Sequence, residues 1–408
     1  MASFSIPLTG LVADSTALNT IANNLANMNT TAYKDQTTSF SNLFYQQLGN
    51  SGSGDPIEEG LGVQVNSTQT NFSPGTINST PGVDTNMAIN GNGFFVSQDS
   101  NGEQYLTRAG DFTTNADGNL ITTDGFDVLG YPAVNGAINA NGAAAPIVVP
   151  VNSAQPPQPT QNMSIDMNLD ATAATGTAVP VPVTLYDSLG NAQRATATFT
   201  AQGGGKWSYQ IAVPGATANA VASGTLQFNG SGTLTSPAAN VSGVSFSGLP
   251  DGANALTFNF NLFDANGNAT ITQTAAASAA TGTPQDGYAS GQYTGLSVDP
   301  SGVLSATYSN GTTQPLAQLA IASVTNEQGL TPTGGNNYQT TLASGQAGLA
   351  VAGSGDRGTI EGDSLEASNV NISTEFSNLI VAQRAFEANA KSVTTFDTVM
   401  QDTIGMVR

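Results

Sequence analysis

Apolar residues recur at helical spacing near both ends of the 408-residue chain, and the long stretch between them follows a different pattern. Near the start, intervals of three, four or seven positions place apolar side chains on one side of a predicted helix. These residues are Leu11, Leu18, Ile21, Leu25 and Met28. The polar residues Asn27, Asn29 and Thr30 then favour the end of that helix.

The second helical pattern is longer and runs to the end of the chain. Its seam alternates intervals of four and three positions, through Ile372, Phe376, Leu379, Gln383, Phe386, Ala390, Val393, Asp397, Met400, Ile404 and Val407. This spacing is typical of a coiled coil, and two polar residues, Gln383 and Asp397, interrupt the apolar seam. Asn371 is the predicted N-cap, and Glu375 falls in the first turn. About 35 residues at 1.5 Å each predict a rod of roughly 50 Å.

Between the helices, short runs of β-branched and aromatic residues alternate with Asp, Asn and Gly clusters, as in VPVTLYDSLGNAQRATATFTAQGGGKWSYQIAV. These runs predict β-hairpins, and Trp207 is expected in a hairpin core. Asp264, Asn266 and Asn268 alternate like calcium ligands, but no acidic residue follows at the distance a calcium loop requires. Turns are therefore the favoured interpretation of these clusters.

The pattern predicts an α+β fold that is mostly β, with two terminal helices and two or more β-rich domains of barrel or sandwich type. Stretches rich in Pro, Gly and Ala mark its boundaries. The predicted parts are a discontinuous helical domain (1–28 and 369–408), a connecting segment (29–71), a discontinuous β domain (72–150 and 290–368) and an inserted β domain (151–289).

Composition excludes several classes of function. Eight Lys and Arg against 28 Asp and Glu give a net charge of -20, which opposes binding to nucleic acid or to an anionic membrane. The chain has no His and no Cys, so the commonest general base, the commonest metal ligand and the thiol nucleophile are missing. We therefore expect no enzyme, no catalytic residues, no cofactor and no metal. A β-rich extracellular hydrolase using an Asp/Glu pair is a remote alternative.

Two more features bear on location. No apolar run is long enough to cross a bilayer. The first residues, MASFSIPLTGLVADS, lack the basic and apolar regions of a cleavable signal peptide. A chain of this kind that leaves the cell would need another export route.

Two terminal segments and one β segment resemble the axial proteins of the bacterial flagellum, the rod and hook subunits. In LNTIANNLANMNTTAYKDQ, the matching residues are Asn23, Asn24, Asn27, Asn29, Thr30, Tyr33 and Lys34. In GDSLEASNVNISTEFSNLIVAQRAFEANAK, they are Leu365, Glu366, Ser368, Asn369, Val370, Glu375, Gln383, Arg384, Asn389 and Lys391. The segment that begins INGNGFFVSQDSNGEQYLTRAGDF is similar to the family's shared β domain. Ala32 stands where the family usually has Gly, which disfavours a left-handed turn there.

Within that family the large insert fits a hook subunit best, because rod subunits are much shorter and junction proteins differ at their termini. A distal rod or hook-filament junction protein is the alternative, and a surface adhesin or surface-layer subunit is a more distant one. The resemblance implies a flexible self-assembling tube, a universal joint that transmits motor torque, with the terminal helices innermost and the insert outermost. It also implies an extracellular location, type III export, and the rod, hook cap, junction proteins, length ruler and export apparatus as partners.

The predicted polymerisation interface consists of the apolar helical residues and their polar neighbours. It comprises Leu11, Leu18, Ile21, Leu25, Met28, Ile372, Phe376, Leu379, Gln383, Arg384, Phe386, Ala390 and Val393. The alternative is a two-helix hairpin buried within one subunit. Phe40 and Phe44 form a candidate export-gate motif, a pattern that also arises by chance.

The basic residues Arg384 and Lys391 have two interpretations. They either pair with Glu366, Glu375 or Glu387 of a neighbouring subunit, or stay exposed as weak surface charges worth under about 1 kcal/mol each.

Overall fold

The computed structural model describes residues 5–52, 55–134 and 136–406. The outermost residues of the two predicted helical segments, including the seam residue Val407, lie outside these ranges. In the described part the chain is mostly β, with one long helix near each end. The helices are α1 (Ser5–Ala26) and α2 (Ile372–Met406). This confirms the predicted balance of helix and strand. Neither helix is long and apolar enough to span a membrane.

The ends of the helices follow local hydrogen bonding. The Thr374 N–H donates to Asn371 Oδ1 at 3.2 Å, so Asn371 caps α2 as predicted. The 35 residues of α2 match the predicted length. Because α1 ends at Ala26, Met28 lies in the following turn and is exposed, so its predicted place on the helical stripe is wrong.

The strands are short and numerous, and two one-turn 3-10 helices lie among them at Ala220–Ala222 and Glu327–Gly329. The first thirteen strands are β1 (Gln36–Asn42), β2 (Tyr45–Asn50), β3 (Pro56–Gly60), β4 (Val63–Thr70), β5 (Ile77–Ser79), β6 (Met87–Asn90), β7 (Phe94–Gln98), β8 (Gln104–Thr107), β9 (Thr113–Thr114), β10 (Leu120–Ile121), β11 (Asp127–Val134), β12 (Ala137–Ile138) and β13 (Ala145–Pro146). The next thirteen are β14 (Ala154–Gln155), β15 (Asn162–Ser164), β16 (Asp166–Asp170), β17 (Ala178–Tyr186), β18 (Ala192–Gly203), β19 (Lys206–Ala212), β20 (Thr217–Ala218), β21 (Ser223–Phe228), β22 (Leu234–Ser236), β23 (Val241–Ser247), β24 (Leu256–Asn261), β25 (Ile271–Thr274) and β26 (Ala279–Gly282). The last nine are β27 (Gly291–Val298), β28 (Val303–Tyr308), β29 (Thr313–Leu319), β30 (Ile321–Ser323), β31 (Thr331–Gly334), β32 (Asn337–Gln339), β33 (Gly348–Ala350), β34 (Thr359–Gly362) and β35 (Ser364–Glu366).

The chain forms two compact units. The first comprises Met1–Val151, Gly295–Ala306 and Gln314–Arg408, and the second comprises Asn152–Thr294 and Thr307–Thr313. The first unit therefore contains both terminal helices together with β structure. The finer division into four parts stays a prediction.

The connecting segment is itself a long β-hairpin. Strand β1 pairs antiparallel with β4, and β2 pairs antiparallel with β3, so the chain from 36 to 70 folds back on itself. The sequence pattern did not predict these strands, because runs such as QTTSFSN and YQQLGN offer few apolar residues. Every described side chain of β2 and β3 is exposed.

In the first unit, strands β29, β11, β7, β8, β32 and β31 pair in that order in one sheet. A core cluster on this sheet contains Phe94 and Tyr338, which meet Phe72 edge to face. Aromatic edge contacts of this kind add about 0.5–1.5 kcal/mol to the free energy of area burial. The cluster holds the start of the β domain, at Phe72, against the sheet.

The second unit confirms the predicted hairpins of the insert. Strands β17, β18 and β19 are consecutive antiparallel neighbours in a five-stranded sheet completed by β21 and β22. Buried residues alternate along them, as at Val181, Val183 and Leu185, and Trp207 is buried in the same core. This is the period of two expected for strands with one buried face.

The predicted turns are confirmed at the DANGN cluster. Asp264 Oδ1 accepts the N–H groups of Asn266 at 2.9 Å and of Asn268 at 2.8 Å. Hydrogen bonds from the Asn268 side chain and backbone hold the pKa of the Asp264 carboxyl below its usual value. The carboxylate therefore closes an Asx turn.

Burial of Tyr338 predicts an alkaline weakening of the first unit. Burial, then the charges of Tyr33 and Glu366, raises the pKa of Tyr338 from 10.0 to about 12. The unfolded chain therefore loses this proton at lower pH than the folded chain. The stabilisation is complete below pH 10 and is lost as pH rises towards 12, by up to about 3 kcal/mol.

Urea unfolding followed by far-UV circular dichroism between pH 9 and pH 12 measures this loss. Tyr338→Phe should flatten the slope. Trp207 lies in the second unit, so its fluorescence follows the unfolding of that unit. The pH dependence of this transition should be the same in Tyr338→Phe as in the wild type. An unchanged slope by circular dichroism would contradict the assignment.

Candidate polymerisation surface

Helix α2 packs on α1 along one stripe. The Asn389 side chain donates from Nδ2 to Asp14 Oδ2 at 2.8 Å. A Cβ added to Gly10 would lie 2.6 Å from Asn389 Nδ2, so the helices approach closely there. Near the other end of α1, Ile21 shares a cavity with Glu375. The two helices are therefore antiparallel, and they pair within one chain.

The α1-facing stripe of α2 has its own helical spacing. Glu375 is buried, and the half-buried residues Leu379, Ala382, Ala385, Asn389, Val393 and Phe396 follow at intervals of three or four. The predicted seam overlaps this stripe only in part. Some seam residues, such as Phe376, lie on the neighbouring side of the helix. The two-helix hairpin thus accounts for one side of α2 and leaves another side uncovered.

The predicted interface residues divide accordingly. Those that are half-buried within the chain are Leu11, Leu18, Ile21, Leu25, Leu379, Ala390 and Val393, and those that are exposed are Met28, Ile372, Phe376, Gln383, Arg384 and Phe386. Phe376 is 52% exposed and Phe386 is 37% exposed. Their role in polymerisation stays a prediction.

Helix α2 also exposes apolar side chains other than the predicted ones. Further large apolar side chains exposed on this helix are Ile380, Val381, Val399, Met400, Ile404 and Met406. All side chains described from Asp397 to Met406 are exposed. With about 3.6 residues per turn, these side chains lie on more than one side of α2. Exposed apolar surface on this scale marks an interaction site.

A second apolar surface lies where α1 meets the hairpin. A groove of about 640 Å³ is lined mainly by Leu8, Val12, Leu43, Val63 and Val65. Leu8 and Val12 belong to the exposed large hydrophobic residues. The groove is therefore an apolar surface separate from that of α2, since no described residue of α2 lines it.

The candidate export residues lie near the turn from β1 into β2. Phe40 is on β1 and Phe44 lies between the strands, where it is 89% exposed. Both rings are accessible in the folded chain. Recognition by an export gate stays a prediction.

Behind these surfaces, a buried ion cluster joins the helices to the β domain. Glu366 Oε1 accepts from Lys34 Nζ at 2.6 Å, and Glu366 Oε2 accepts from Arg108 Nε at 2.9 Å. The carboxylate side chain is fully buried. Glu366 Oε1 also accepts the Gly75 N–H at 2.8 Å, so both carboxylate oxygens are satisfied. One carboxylate thus holds two cations that are far apart in sequence.

Backbone carbonyls satisfy the remaining donors of the two cations. Lys34 Nζ donates to Ser73 O at 2.9 Å. Arg108 Nη1 donates to the carbonyls of Gly91 and Gly93 at 2.8 and 2.7 Å. A buried ion group needs such additional bonds to offset its desolvation. Burial, partly offset by Glu366, still lowers the pKa of Lys34.

The structure corrects two expectations at this junction. Ala32 has a φ of 55°, so the left-handed turn forms although Gly is replaced. Its N–H donates to Glu366 O at 2.8 Å, and this bond and the adjacent Lys34 ion pair hold the turn. Glu366 is enclosed by its own two cations, so it is not a partner for Arg384 or Lys391 of a neighbour.

The asparagines of the two terminal signatures connect the same segments. Asn24 Oδ1 accepts the Gln36 N–H at 2.9 Å, and Asn24 Nδ2 donates to Gln36 O at 2.8 Å. Asn369 Oδ1 accepts the Asp35 N–H at 2.7 Å. Sequence reasoning singled out Asn24, Lys34, Glu366 and Asn369 but missed Arg108. This residue is one of eight basic residues and lies in the segment that resembles the family's β domain.

Glu366→Gln should weaken the first unit, because it leaves Lys34 and Arg108 buried without a counter-charge. Removing one partner of a buried ion pair costs about 3–5 kcal/mol. Urea unfolding by far-UV circular dichroism should show this loss, whereas Glu361→Gln, which is exposed on β34, should change the free energy of unfolding little. A loss below about 1 kcal/mol for Glu366→Gln would contradict a structural role for the cluster.

Four known protein families match successive parts of the chain. The basal body rod protein family matches residues 7–34, and the C-terminal family of the flagellar basal body rod FlgEFG proteins matches 362–406. Between them, the flagellar hook protein FlgE/F/G D1 domain matches 88–168, and the flagellar basal body protein FlaE D2 domain matches 170–288. The two terminal matches cover the helices and the ion cluster residues Lys34 and Glu366.

The chain is similar over its full length to flagellar hook proteins of several bacteria. The chain is 34% identical to the flagellar hook protein FlgE of Salmonella typhimurium, over 99% of this chain and 100% of that protein. It is 32% identical to the same protein of Escherichia coli, over 99% and 100%. The hook protein FlgE2 structure from Helicobacter pylori shares the fold over 72% of this chain and 100% of that one, with a TM-score of 0.55 at 14% identity. The chain therefore belongs to the flagellar hook protein family.

Proposed function

We propose that this structural subunit of the flagellar hook assembles by burying the exposed apolar flank of α2 against other copies. The observation that carries the proposal is that α2 is already paired with α1 on one side and still exposes Phe376 and Phe386 on another. Full burial of an exposed apolar side chain contributes about 1.5–3 kcal/mol, and each of these partly exposed rings contributes a fraction of that. Repeated along a 35-residue helix, this is enough to drive association.

The same surface used head to tail builds a tube. A contact between two different patches of identical subunits generates a helical filament when its rotation does not close. The proposed layers are a coiled-coil-like inner domain (1–28 and 369–408), a middle β domain (72–150 and 290–368) and an outer inserted domain (151–289). The hairpin in segment 29–71 connects the first two.

Bending would come from weaker contacts between the β domains. The insert is rich in Thr, Ser, Asn and Gly. Wet polar interfaces exchange partners with little change in free energy. The inner helices would keep their contacts while the outer domains slide past one another. A tube built in this way would resist twisting and tolerate bending. Such a tube transmits motor torque as a universal joint.

Flagellar partners follow from this role. The proposed ones are the rod, the hook cap, the hook-filament junction proteins, the length ruler and the export apparatus. The chain would reach the outside through that apparatus, with Phe40 and Phe44 presented to the export gate. The family is one of structural proteins and is not known as an enzyme family.

A rod role is the nearest alternative, since the two terminal matches belong to rod protein families. Similarity over 99% of the chain to a full-length hook protein favours the hook. Electron microscopy of the purified chain under polymerising conditions tests the proposal. Bent tubes support it, and chains that stay monomeric under every such condition overturn it.

Phe386→Asp should abolish assembly. The ring is 37% exposed in the single chain, so the variant should fold. In the tube it would place an unpaired carboxylate in an apolar interface, at a cost of several kcal/mol. Sedimentation and micrographs should show monomers for Phe386→Asp and tubes for Phe386→Leu. Tubes of normal length from the aspartate variant would show that this flank is not the interface.

Removing the insert should leave assembly intact and straighten the tube. Ala154 pairs with Gln292, and Ser290 Oγ donates to Gln155 O at 2.9 Å, so a short Gly/Ser linker can replace residues 156–290. Contacts in the outermost layer undergo the largest compression and extension, so their loss should remove the preferred curvature. Micrographs should show straight rods. Normally curved tubes would contradict the assigned role of the insert.

A further inference from the structure

Glu375 is a buried carboxylate with an unused oxygen. It lies in the first turn of α2, is 6% exposed, and its Oε2 has no hydrogen-bond partner. A buried acceptor without a donor costs free energy, and native structures rarely keep one without a reason. This orphaned oxygen indicates that a donor is supplied from elsewhere.

Glu375 lines a cavity that is open to an incoming side chain. The cavity has a volume of about 370 Å³ and lies between α1, β1 and α2. Asp14 and Glu375 are its two acidic lining residues, and no basic residue lines it. The Asn389 side chain already donates to Asp14, whereas Glu375 Oε2 is left free. The cavity therefore fits a positively charged donor.

A suitable donor lies on the opposite face of the same helix. Arg384 is exposed, and within the described ranges it forms no salt bridge. It follows Glu375 by nine residues, or about two and a half helical turns, so the two side chains point in opposite directions. Arg384 cannot reach the Glu375 of its own helix.

We propose that Arg384 of a second copy of this chain enters the cavity and pairs with Glu375. The inference rests on the proposed function, since it needs copies of the chain to assemble. A guanidinium suits the site because it is planar, weakly hydrated and able to bond both carboxylate oxygens. The contact joins two different faces of α2, which is the head-to-tail geometry that a helical filament requires.

Cysteine cross-linking tests the contact directly. The chain has no Cys, so single variants carry one thiol each. Asn378 lines the cavity and is exposed. Wild-type protein is polymerised with small equal amounts of Asn378→Cys and Arg384→Cys chains and then oxidised mildly. We expect disulfide-linked dimers that join position 378 of one chain to position 384 of another. The matched control uses Lys391→Cys chains in place of Arg384→Cys chains. This control should give far fewer disulfide-linked dimers.

Charge removal provides a second readout. Glu375→Gln and Arg384→Gln should each raise the concentration needed for assembly by about tenfold, and the double variant should be no worse than either single one. Lys391→Gln should have little effect. Additive losses in the double variant would show that the two residues act separately.

The outcomes distinguish the inference from the proposed function. If wild-type protein forms tubes but no dimer links positions 378 and 384, the proposed contact between Arg384 and Glu375 is wrong. The proposed assembly into a hook would still hold. Stronger cross-linking to position 391 would assign the cavity to Lys391 and overturn the role of Arg384. If wild-type protein forms no tubes, the proposed function fails, and the inference fails with it.

Discussion

The carboxylate of Glu366, held between Lys34 and Arg108, is the constraint on which the first unit depends. It joins the loop after α1, the segment at Ser73 and Gly75, and the β domain at one buried point. Two cations enclosed without this anion would face a large desolvation penalty. The terminal segments are therefore fixed to the β domain before any second copy arrives.

This anchoring decides which side of α2 remains available. The chain enters α2 a few residues after Glu366, capped by Asn371, so the direction and rotation of the helix are set at its start. One stripe then packs on α1 through Asn389, and the flank with Phe376 and Phe386 stays uncovered. The flank is exposed and its helix is already formed in the single chain, so this surface is available for repeated assembly.

Features carried by local periodicity could be predicted from the sequence. The spacing from Ile372 onward gave α2 and its cap, and the alternation around Trp207 gave the hairpins of the second unit. The hairpin from 36 to 70 was missed because its strands are mostly polar, and only Val63 and Val65 on β4 alternate as apolar residues. Arg108 was missed because its bond to Glu366 spans 258 residues, and nothing local signals a partner so distant. The turn at Ala32 formed against its propensity because tertiary bonds hold it.

Amide hydrogen exchange on α2, compared between monomer and assembled tube, tests the central claim most directly. Amides near Glu366 should exchange slowly in both states, since the ion cluster forms within one chain. Amides between Asp397 and Met406, where every described side chain is exposed in the single chain, should gain protection only on assembly. Fast exchange near Glu366 in the monomer, or no gain along α2 in the tube, would contradict it.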